Sequence, residues 1–401
     1  MKTDSPIDPT AAGYRWAMLG AVWAVYYGFG LVAGSLAPVI SLVIDDLGLT
    51  RASMGVVLGA WQLVYLGAAI PAGRVIDRIG LRWSLGLASL LIATSGLARA
   101  GATGWWTLFA AVAIFGLGGP LVSVGAPKLI ANWFNDHDRR TAVGVYTTAP
   151  ALGTATALAT TNSVLLPALG SWRFSVAALS LVTASTGLVW LAVAGRAPWT
   201  EPRIVAGGPR HSTLALLRLP IVRTVLVIAT GTFLFSHAMA NWLVEVLREN
   251  GVSPAQAGGW AALVTVTGIV AGATIPRFAS PKRRVPILMT VLILAAAGAL
   301  VLRTAPSAAL LIPALMAIGL ARAATPIDML ALMDDPDVGP DRMAPAGGLF
   351  FTAGEIGGVL GPLLTGVLAQ TSGGFQLPIT VLAGVAFAMA LVATRLRPIQ
   401  A

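Results

Sequence analysis

Apolar residues occur along almost the whole chain in stretches of about 20, separated by short polar segments. A helix of this length crosses the hydrocarbon core of a bilayer, about 30 Å thick, because it rises about 1.5 Å per residue. The sequence therefore predicts an all-α membrane protein with twelve transmembrane helices. The predicted spans are residues 16–42, 52–73, 83–100, 105–132, 141–168, 172–195, 220–246, 254–276, 285–303, 307–332, 344–369 and 374–394.

The basic residues are distributed unequally between the two sets of connecting segments. If the N-terminus is cytoplasmic, the segments on that side hold 19 of the 26 lysines and arginines, and the segments on the other side hold five. Cytoplasmic loops of membrane proteins carry such an excess. Both termini are therefore predicted to be cytoplasmic, with the protein in the cell (inner) membrane. The polar first 15 residues lack the features of a secretory signal, so the first span is predicted to be retained.

Composition excludes several functional classes. Hydrophobic residues make up 56% of the 401 residues and charged residues only 10%, too few for a soluble surface. The absence of cysteine excludes disulfides and thiolate metal sites. The net charge of +10 is explained by the cytoplasmic segments, so no nucleic-acid partner is expected. The sequence holds no P-loop and no nucleophile–base set, so we expect neither ATP-driven transport nor an enzyme, and no metal or cofactor.

The longest polar stretch divides the chain into halves of similar length. We interpret residues 1–195 as an N-terminal six-helix bundle, 196–219 as a cytoplasmic linker and 220–401 as a C-terminal six-helix bundle. Transporters are often built from such duplicated halves.

Three pairs of segments support an internal duplication, because shifts of 203 or 204 residues align all of them. In this alignment Arg322 falls opposite Gly119, and Glu355 falls opposite Ala151. The second half therefore carries ionisable groups where the first half is small and neutral, as a substrate or coupling site would require. The aligned pairs are 48–55 with 251–258, 115–120 with 318–323, and 144–153 with 348–357.

The segment between the second and third spans, "GRVIDRIGLRW", carries a family motif. It resembles the G-x-x-x-D-R-x-G-R-[KR] loop of the major facilitator superfamily, with Leu81 in place of the usual basic residue. The resemblance implies two six-helix bundles around a central cavity that opens alternately to each side. Asp77 can accept from helix amides or pair with nearby arginines, so the motif is interpreted as a conformational latch. The matching residues are Gly73, Asp77, Arg78, Gly80 and Arg82.

Other segments narrow the resemblance within the superfamily. Residues 125–146 and 354–362 resemble its anion-carrying branches, which include nitrate/nitrite, cyanate and organic-anion carriers. Residues 147–153 resemble the helix motif of drug/proton antiporters only in part, because Ala149 stands where glycine is expected. Proton-coupled uptake of a small anion is therefore predicted. The alternatives are proton-coupled export of a drug or metabolite and, from another class, a non-transporting membrane receptor.

Arg322 is a permanent charge within roughly 5 Å of the middle of its predicted span. Such an arginine costs about 2.5–3.5 kcal/mol on insertion scales and is usually turned toward the protein interior or a wet cavity. Its planar guanidinium binds carboxylate, nitrate or phosphate through two parallel hydrogen bonds. Arg322 is predicted to anchor the substrate anion, and a structural ion pair is the alternative.

Glu355 lies near the middle of the next span and is the obvious partner for Arg322. A glutamate beside an arginine stays ionised, whereas a desolvated and unpaired one takes up a proton. Glu355 is therefore predicted either to couple transport to protons or to form a permanent salt bridge. His237, the only intramembrane histidine, is a candidate for proton relay or anion binding, and helix packing explains it equally well.

Five polar or aromatic residues of the first half lie at roughly the same depth and are predicted to line a wall of the substrate site. Packing alone would also explain any one of them. Together with Arg322 and His237, they complete a site for a small anion in a monomeric transporter, with protons as the coupling ion. These residues are Tyr26, Tyr27, Trp61, Gln62 and Tyr65.

Two charged features near the cytoplasmic side have simpler interpretations. Lys128 lies about 13 Å from the midplane and is predicted to extend to the membrane interface. The acidic segment 334–341 is predicted to face the basic segment 277–284 and to form an inner gate.

Overall fold

The structure is a computed structural model that describes residues 9–197, 213–304 and 307–396. Most of the linker predicted at 196–219 lies outside the described residues. Helices account for almost all of the described chain. They are α1 (Pro9–Ala33), α2 (Ile40–Leu47), α3 (Arg51–Ala100), α4 (Trp105–Trp133), α5 (Asp136–Thr160), α6 (Leu166–Leu169), α7 (Trp172–Arg196), α8 (Thr213–Leu216), α9 (Pro220–Glu249), α10 (Pro254–Thr274), α11 (Arg284–Val301), α12 (Ala308–Leu320), α13 (Ala324–Met333), α14 (Gly339–Ser372) and α15 (Gln376–Ala393).

Eleven helical segments of the described chain are long and apolar enough to cross a membrane. The span predicted at 141–168 is also helical, as α5, a π-helical turn at Thr161–Leu165, and α6. The hydropathy of this span is lower because its α5 part is rich in threonine. The predicted all-α membrane class is confirmed.

The segment 73–83 contains the predicted connection between two helices, but the connection is shorter than predicted. Residues 51–100 form helix on both sides of Gly80, which alone departs from helical geometry, at φ 77° and ψ 163°. Glycine adopts positive φ without a steric penalty, so it allows an abrupt bend at one residue. The motif therefore contains the sharp bend in α3 at which the two helices meet.

The first predicted span also differs, because α1 ends at Ala33 and the chain turns before α2 begins. Arg99 is buried beside this end. Its Nη1 donates to the carbonyl of Val32 over 2.7 Å, and its guanidinium lies over the ring of Phe115. A cation at the C-terminus of a helix complements the helix dipole. The turn after α1 explains the burial of this arginine.

The predicted alignment of 48–55 with 251–258 is reproduced in the local structure. Gly48 and Gly251 are both left-handed, with φ values of 60° and 82°. Two residues later, the hydroxyl groups of Thr50 and Ser253 accept hydrogen bonds from backbone amides and cap α3 and α10. The same helix-starting geometry therefore occurs twice, 203 residues apart.

The alignment of 144–153 with 348–357 is reproduced in helix packing. Gly153 of α5 lies against the carbonyl of Tyr27 in α1, and Gly357 of α14 lies against the carbonyl of Thr230 in α9. A Cβ atom on either glycine would overlap the facing carbonyl oxygen. Small residues let two helix backbones approach this closely. The crossings of α1 with α5 and of α9 with α14 are therefore equivalent.

Two further glycine crossings join residues 9–197, here called the N-terminal part, to residues 213–396, the C-terminal part. A Cβ atom on Gly55 would lie 2.6 Å from the carbonyl oxygen of Pro362 in α14. A Cβ atom on Gly258 would overlap the carbonyl oxygen of Leu158 in α5. The two parts are therefore packed backbone to backbone at two equivalent places.

Polar contacts between the two parts cluster at one end of the helices. Arg51 Nη2 lies 2.5 Å from Glu249 Oε1, and Asn162 Nδ2 donates to the carbonyl of Pro254 over 3.3 Å. Ser41 accepts from Arg248 across the same boundary. We call this end, formed by residues 41–51 and 245–254, the closed end.

At the opposite end, the ion pairs among described residues stay within one part. Lys128, which was predicted to extend to the interface, pairs with Asp77 of the α3 motif. The predicted contact between 334–341 and 277–284 is formed by Arg284 and Asp334. Both residues belong to the C-terminal part, so the pair ties α11 to the α13–α14 connection and does not bridge the two parts.

Candidate functional site

Arg322 lies at a break in the helix that was predicted to run continuously over 307–332. α12 ends at Leu320, residues Ala321–Ala323 form a 3₁₀ turn, and α13 begins at Ala324. A 3₁₀ turn inside a helix has poorer hydrogen-bond geometry and often marks a functional hinge. Arg322 therefore lies where the backbone hydrogen bonds of its span have poorer geometry than in the adjoining helices.

The side chain of Arg322 lines a pocket between α9, α10 and the α12–α13 break. Leu158 of α5 completes the wall, so both parts of the chain contribute. Arg322 is exposed and forms no hydrogen bond or ion pair with any described residue. Its guanidinium is therefore available to an anion in the pocket. The other lining residues are Phe235, Ser236, Met239, Ala240, Leu243, Ala261, Val264, Thr265, Ile318 and Gly319.

Gly268 of α10 allows the Arg322 side chain to pack against the backbone of α10 and to extend into the pocket. A Cβ atom on Gly268 would overlap Cδ of Arg322 and lie 3.0 Å from its Cγ. The backbone of α10 therefore supports the aliphatic part of the side chain, while the guanidinium extends into the pocket.

Substituting Gly268→Ala is expected to weaken anion binding without removing any charge, because the added methyl group displaces the Arg322 side chain. We expect a tenfold or greater rise in Kd, equivalent to about 1.4 kcal/mol. Calorimetric titration of the purified protein would measure it. Gly272→Ala is the matched control on the same helix, because its Cβ atom would meet only the backbone oxygen of Arg322, at 3.9 Å. Equal affinities in the two variants would contradict the positioning by Gly268.

Two buried polar side chains and one half-buried histidine converge on Gly358 of α14. A Cβ atom on this glycine would lie 2.9 Å from Glu355 Oε2, 3.2 Å from His237 Nδ1 and 3.3 Å from Gln62 Cγ. Gln62 is fully buried and Glu355 is 8% exposed. Glu355 Oε2, His237 Nδ1 and both amide atoms of Gln62 have no hydrogen-bond partner among the described residues. We call Gln62, His237 and Glu355 the Gly358 cluster.

Arg322 and Glu355 form no ion pair among the described residues. Arg322 extends into the pocket beside α9 and α10, whereas Glu355 Oε2 lies beside His237 of α9 and Gln62 of α3. His237 is near enough to Arg322 for the two to interact electrostatically. The two predicted charges therefore belong to neighbouring sites in this conformation.

The predicted aromatic residues extend the Gly358 cluster into the N-terminal part. The Trp61 ring lies 6.0 Å from the His237 ring, and the Tyr65 ring lies 6.2 Å from the Trp61 ring. The Tyr26 hydroxyl is 3.3 Å from the Ser123 hydroxyl. Tyr26 and Tyr65 both lie within electrostatic range of Glu355.

Tyr27 lies apart from these residues. Its hydroxyl donates to Thr156 of α5 over 3.0 Å, and its ring stacks on Trp23. Consecutive helix positions point about 100° apart, so Tyr26 and Tyr27 face different neighbours. Tyr27 therefore supports the α1–α5 packing in this structure.

The remaining motif residues lie around the bend in α3. The carbonyl of Arg82 accepts from Trp190 Nε1 over 2.8 Å, and its guanidinium packs on Gly195. Gly73 precedes the bend by two turns of helix, and Arg78 is exposed beside it. Arg82 therefore connects the bend to the end of α7.

Asp328 of α13 is a buried carboxyl group that the sequence interpretation did not single out. It is fully buried, and neither carboxylate oxygen has a hydrogen-bond partner among the described residues. An unpaired carboxylate is costly in such surroundings, so the neutral acid is the form that fits. The sequence feature that could have identified Asp328 is its position within an apolar helix, six residues after Arg322.

Residues 19–362 match the Major Facilitator Superfamily, so the chain belongs to this family. The family and the fold are those of a multi-pass membrane transporter. The resemblance drawn from the sequence motifs is therefore confirmed at the level of the family.

Two curated relatives are named for acidic sugars. The hexuronate transporter of Bacillus subtilis (strain 168) is 23% identical over 379 residues, which cover 88% of each chain. The D-galactonate transporter of Escherichia coli O6:H1 is 28% identical over 163 residues, which cover 41% of this chain and only 36% of that transporter. These names agree with the predicted resemblance to anion-carrying branches.

A solved structure matches almost the entire fold. The nucleoside transporter NupG (D323A mutant) superposes with a TM-score of 0.77 at 15% identity, covering 94% of this chain and 99% of that chain. The likeness establishes the fold alone.

Proposed function

We propose that the protein is a secondary active transporter that carries a small organic or inorganic anion across the cell (inner) membrane by alternating access. The observation that carries the proposal is Arg322, a permanent cation without a partner among the described residues, facing a pocket to which both parts contribute. The relatives named for hexuronate and galactonate support an anionic substrate.

We further propose that residues 1–195 and 220–401 form two six-helix bundles with both termini in the cytoplasm. The paired crossings at Gly153 and Gly357 support the duplication, and the excess of basic residues supports the orientation. With this orientation the closed end faces outward, which supports an inward-facing state of a transporter that we propose to be monomeric.

In this mechanism the anion acts on the equilibrium between the two conformations. A ligand shifts such an equilibrium only by its differential affinity for the two states. An anion on Arg322 joins the C-terminal part to the pocket wall that Leu158 contributes from the N-terminal part. The bound anion thereby stabilises the conformation in which the two parts meet around the pocket. The 3₁₀ turn at Ala321–Ala323 supplies a hinge for the change between the two conformations.

We propose protons as the coupling ion and uptake as the direction. Glu355 is a buried carboxyl group whose Oε2 has no partner among the described residues, and such a group takes up a proton when it is desolvated. A proton that enters with the anion offsets its charge in the low-dielectric interior. Uptake of a monovalent anion with one proton is electrically neutral.

Uptake assays in proteoliposomes test this function. A panel of a sugar acid, a monocarboxylate, nitrate and a sulfonate would be offered with an inward proton gradient. We expect saturable accumulation of one of these classes, and its loss when an ionophore collapses the gradient. Extrusion of an apolar drug against the same gradient would favour export, and anion binding without flux would favour a receptor.

A further inference from the structure

Gly358 lies beside a polar cluster at the boundary between the two parts. A Cβ atom added to it would lie 2.9 Å from Glu355 Oε2 and 3.2 Å from His237 Nδ1, so its backbone adjoins both groups, and Gln62 approaches from α3. The rings of Trp61 and Phe233 lie beside His237, at centroid distances of 6.0 Å and 5.7 Å. The site is therefore small, polar in the middle and aromatic at its sides.

The polar atoms around this site match the hydrogen-bonding capacity of water. The Gln62 amide offers both a donor and an acceptor, and His237 Nδ1 offers either, depending on its tautomer. Glu355 Oε2 accepts when it is ionised and donates when it carries the proton. Buried waters typically make about three hydrogen bonds to polar groups that otherwise have none.

We propose that Gln62, His237 and Glu355 bind one water molecule over the backbone of Gly358, and that this water carries the coupling proton between Glu355 and His237. The inference rests on the proton coupling in the proposed function. In the transfer, the O–H bond of Glu355 breaks and its proton joins the water, while one O–H bond of the water breaks and its proton joins His237 Nδ1. Water is regenerated, Glu355 becomes a carboxylate and His237 becomes an imidazolium.

The transfer places charge on two groups shielded from water, so the charged and titratable groups around the site determine how favourable it is. The titratable groups that face the site from other helices are Tyr26 and Tyr65 of the N-terminal part, whose phenol groups interact with the charge of Glu355, and Arg322 at the α12–α13 break, which interacts with His237. Asp328 of α13 forms no hydrogen bond with any described residue. An anion bound to Arg322 would offset its charge and favour the imidazolium form of His237, which links substrate binding to proton transfer.

The site also depends on the contact between the two parts. Gln62 belongs to α3, whereas His237, Glu355 and Gly358 belong to α9 and α14. Gly55 holds α3 against Pro362 of α14, seven residues before Gln62. Separating the two helices would remove Gln62 from the water and change the proton affinity of Glu355.

Gly358→Ala tests the proposal, because its Cβ atom would lie 2.9 Å from Glu355 Oε2 and 3.2 Å from His237 Nδ1 and would displace a water bound to both groups. Gly348→Ala is the matched control on α14, where an added Cβ atom meets nothing within 4 Å. We expect Gly358→Ala to reduce proton-driven accumulation to the equilibrium ratio of one while anion exchange persists. Gly348→Ala should accumulate the anion like the wild type. Wild-type accumulation by Gly358→Ala would overturn the proposal.

Infrared spectroscopy of the purified protein supplies a readout that is independent of transport. The protonated carboxyl band that disappears in Glu355→Gln identifies Glu355. This band should shift to higher frequency in Gly358→Ala, because the carboxyl group loses its hydrogen bond to water, and should stay in place in Gly348→Ala. An unshifted band, or no Glu355 band in the wild type, would overturn the water site even if transport is proton-coupled.

Gln62→Leu covers the case in which Gly358→Ala fails to fold. This substitution keeps the approximate volume of the side chain and removes both amide atoms. It should produce the same band shift and the same loss of accumulation. If the variants show the expected band shifts but the wild type shows no proton-driven uptake, the proposed coupling fails and the binding of the water stands separately.

Discussion

Arg322→Ala is expected to abolish the stabilisation of the purified protein by its substrate anion. Removing one partner of a desolvated charge pair costs about 2–5 kcal/mol of binding, which weakens affinity by a factor of at least about 30. A ligand that binds only the native state raises the melting temperature, so a thermal-shift screen of small anions measures the loss directly. Arg322→Lys should recover part of the shift, because lysine keeps the charge without the planar guanidinium.

Arg303→Ala is the control for this experiment. Arg303 is an exposed arginine that bonds Gln376 at the edge of α15, so its removal changes the net charge by the same amount outside the pocket. The rise in melting temperature that the anion produces in Arg303→Ala should equal the rise in the wild type. An unchanged response in Arg322→Ala would mean that the arginine is structural, and export would become the leading interpretation.

Glu355→Gln is expected to eliminate proton-driven accumulation and to spare exchange of anion across the membrane. Glutamine has the shape of the protonated acid but cannot release a proton, so the anion still binds and crosses while the proton gradient no longer drives it. For one proton per anion, the wild type should accumulate substrate about tenfold per pH unit. The variant should reach a ratio of one. Counterflow and gradient-driven uptake in the same proteoliposomes measure the two activities.

Glu249→Gln provides the comparison, because Glu249 pairs with Arg51 at the closed end and not at the Gly358 cluster. It should retain gradient-driven accumulation, although the rate can change if the closed end opens more easily. Equal loss of exchange and accumulation in Glu355→Gln would exclude the coupling function and would indicate that the carboxyl group is needed for folding or substrate binding.

The fold was largely predictable because apolar stretches of membrane length leave few alternatives to helices. The repeat was visible in the spacing of Gly48, Gly55, Gly251 and Gly258, since each is needed for a turn or a crossing. The burial of Arg99 was not predictable, because it depends on where α1 ends, 67 residues earlier in the chain. Local sequence carries no information about such a distant partner.

The candidate site was predictable in its members but not in its arrangement. Polar residues within apolar spans are rare enough that Arg322, Glu355, Gln62 and His237 could be selected from depth alone. Whether Arg322 faces Glu355 depends on the rotation of each helix and on the 3₁₀ turn at Ala321–Ala323.

The two glycine crossings between the parts restrict which residues can replace Gly55 and Gly258. The carbonyl oxygens of Pro362 and Leu158 leave no space for a side chain at Gly55 or Gly258. Any larger residue at either position would act as a wedge beside the closed end and would populate the opposite conformation at rest. Under the proposed alternating access, these two glycines, which line neither candidate site, would therefore set the conformation that the protein adopts without substrate.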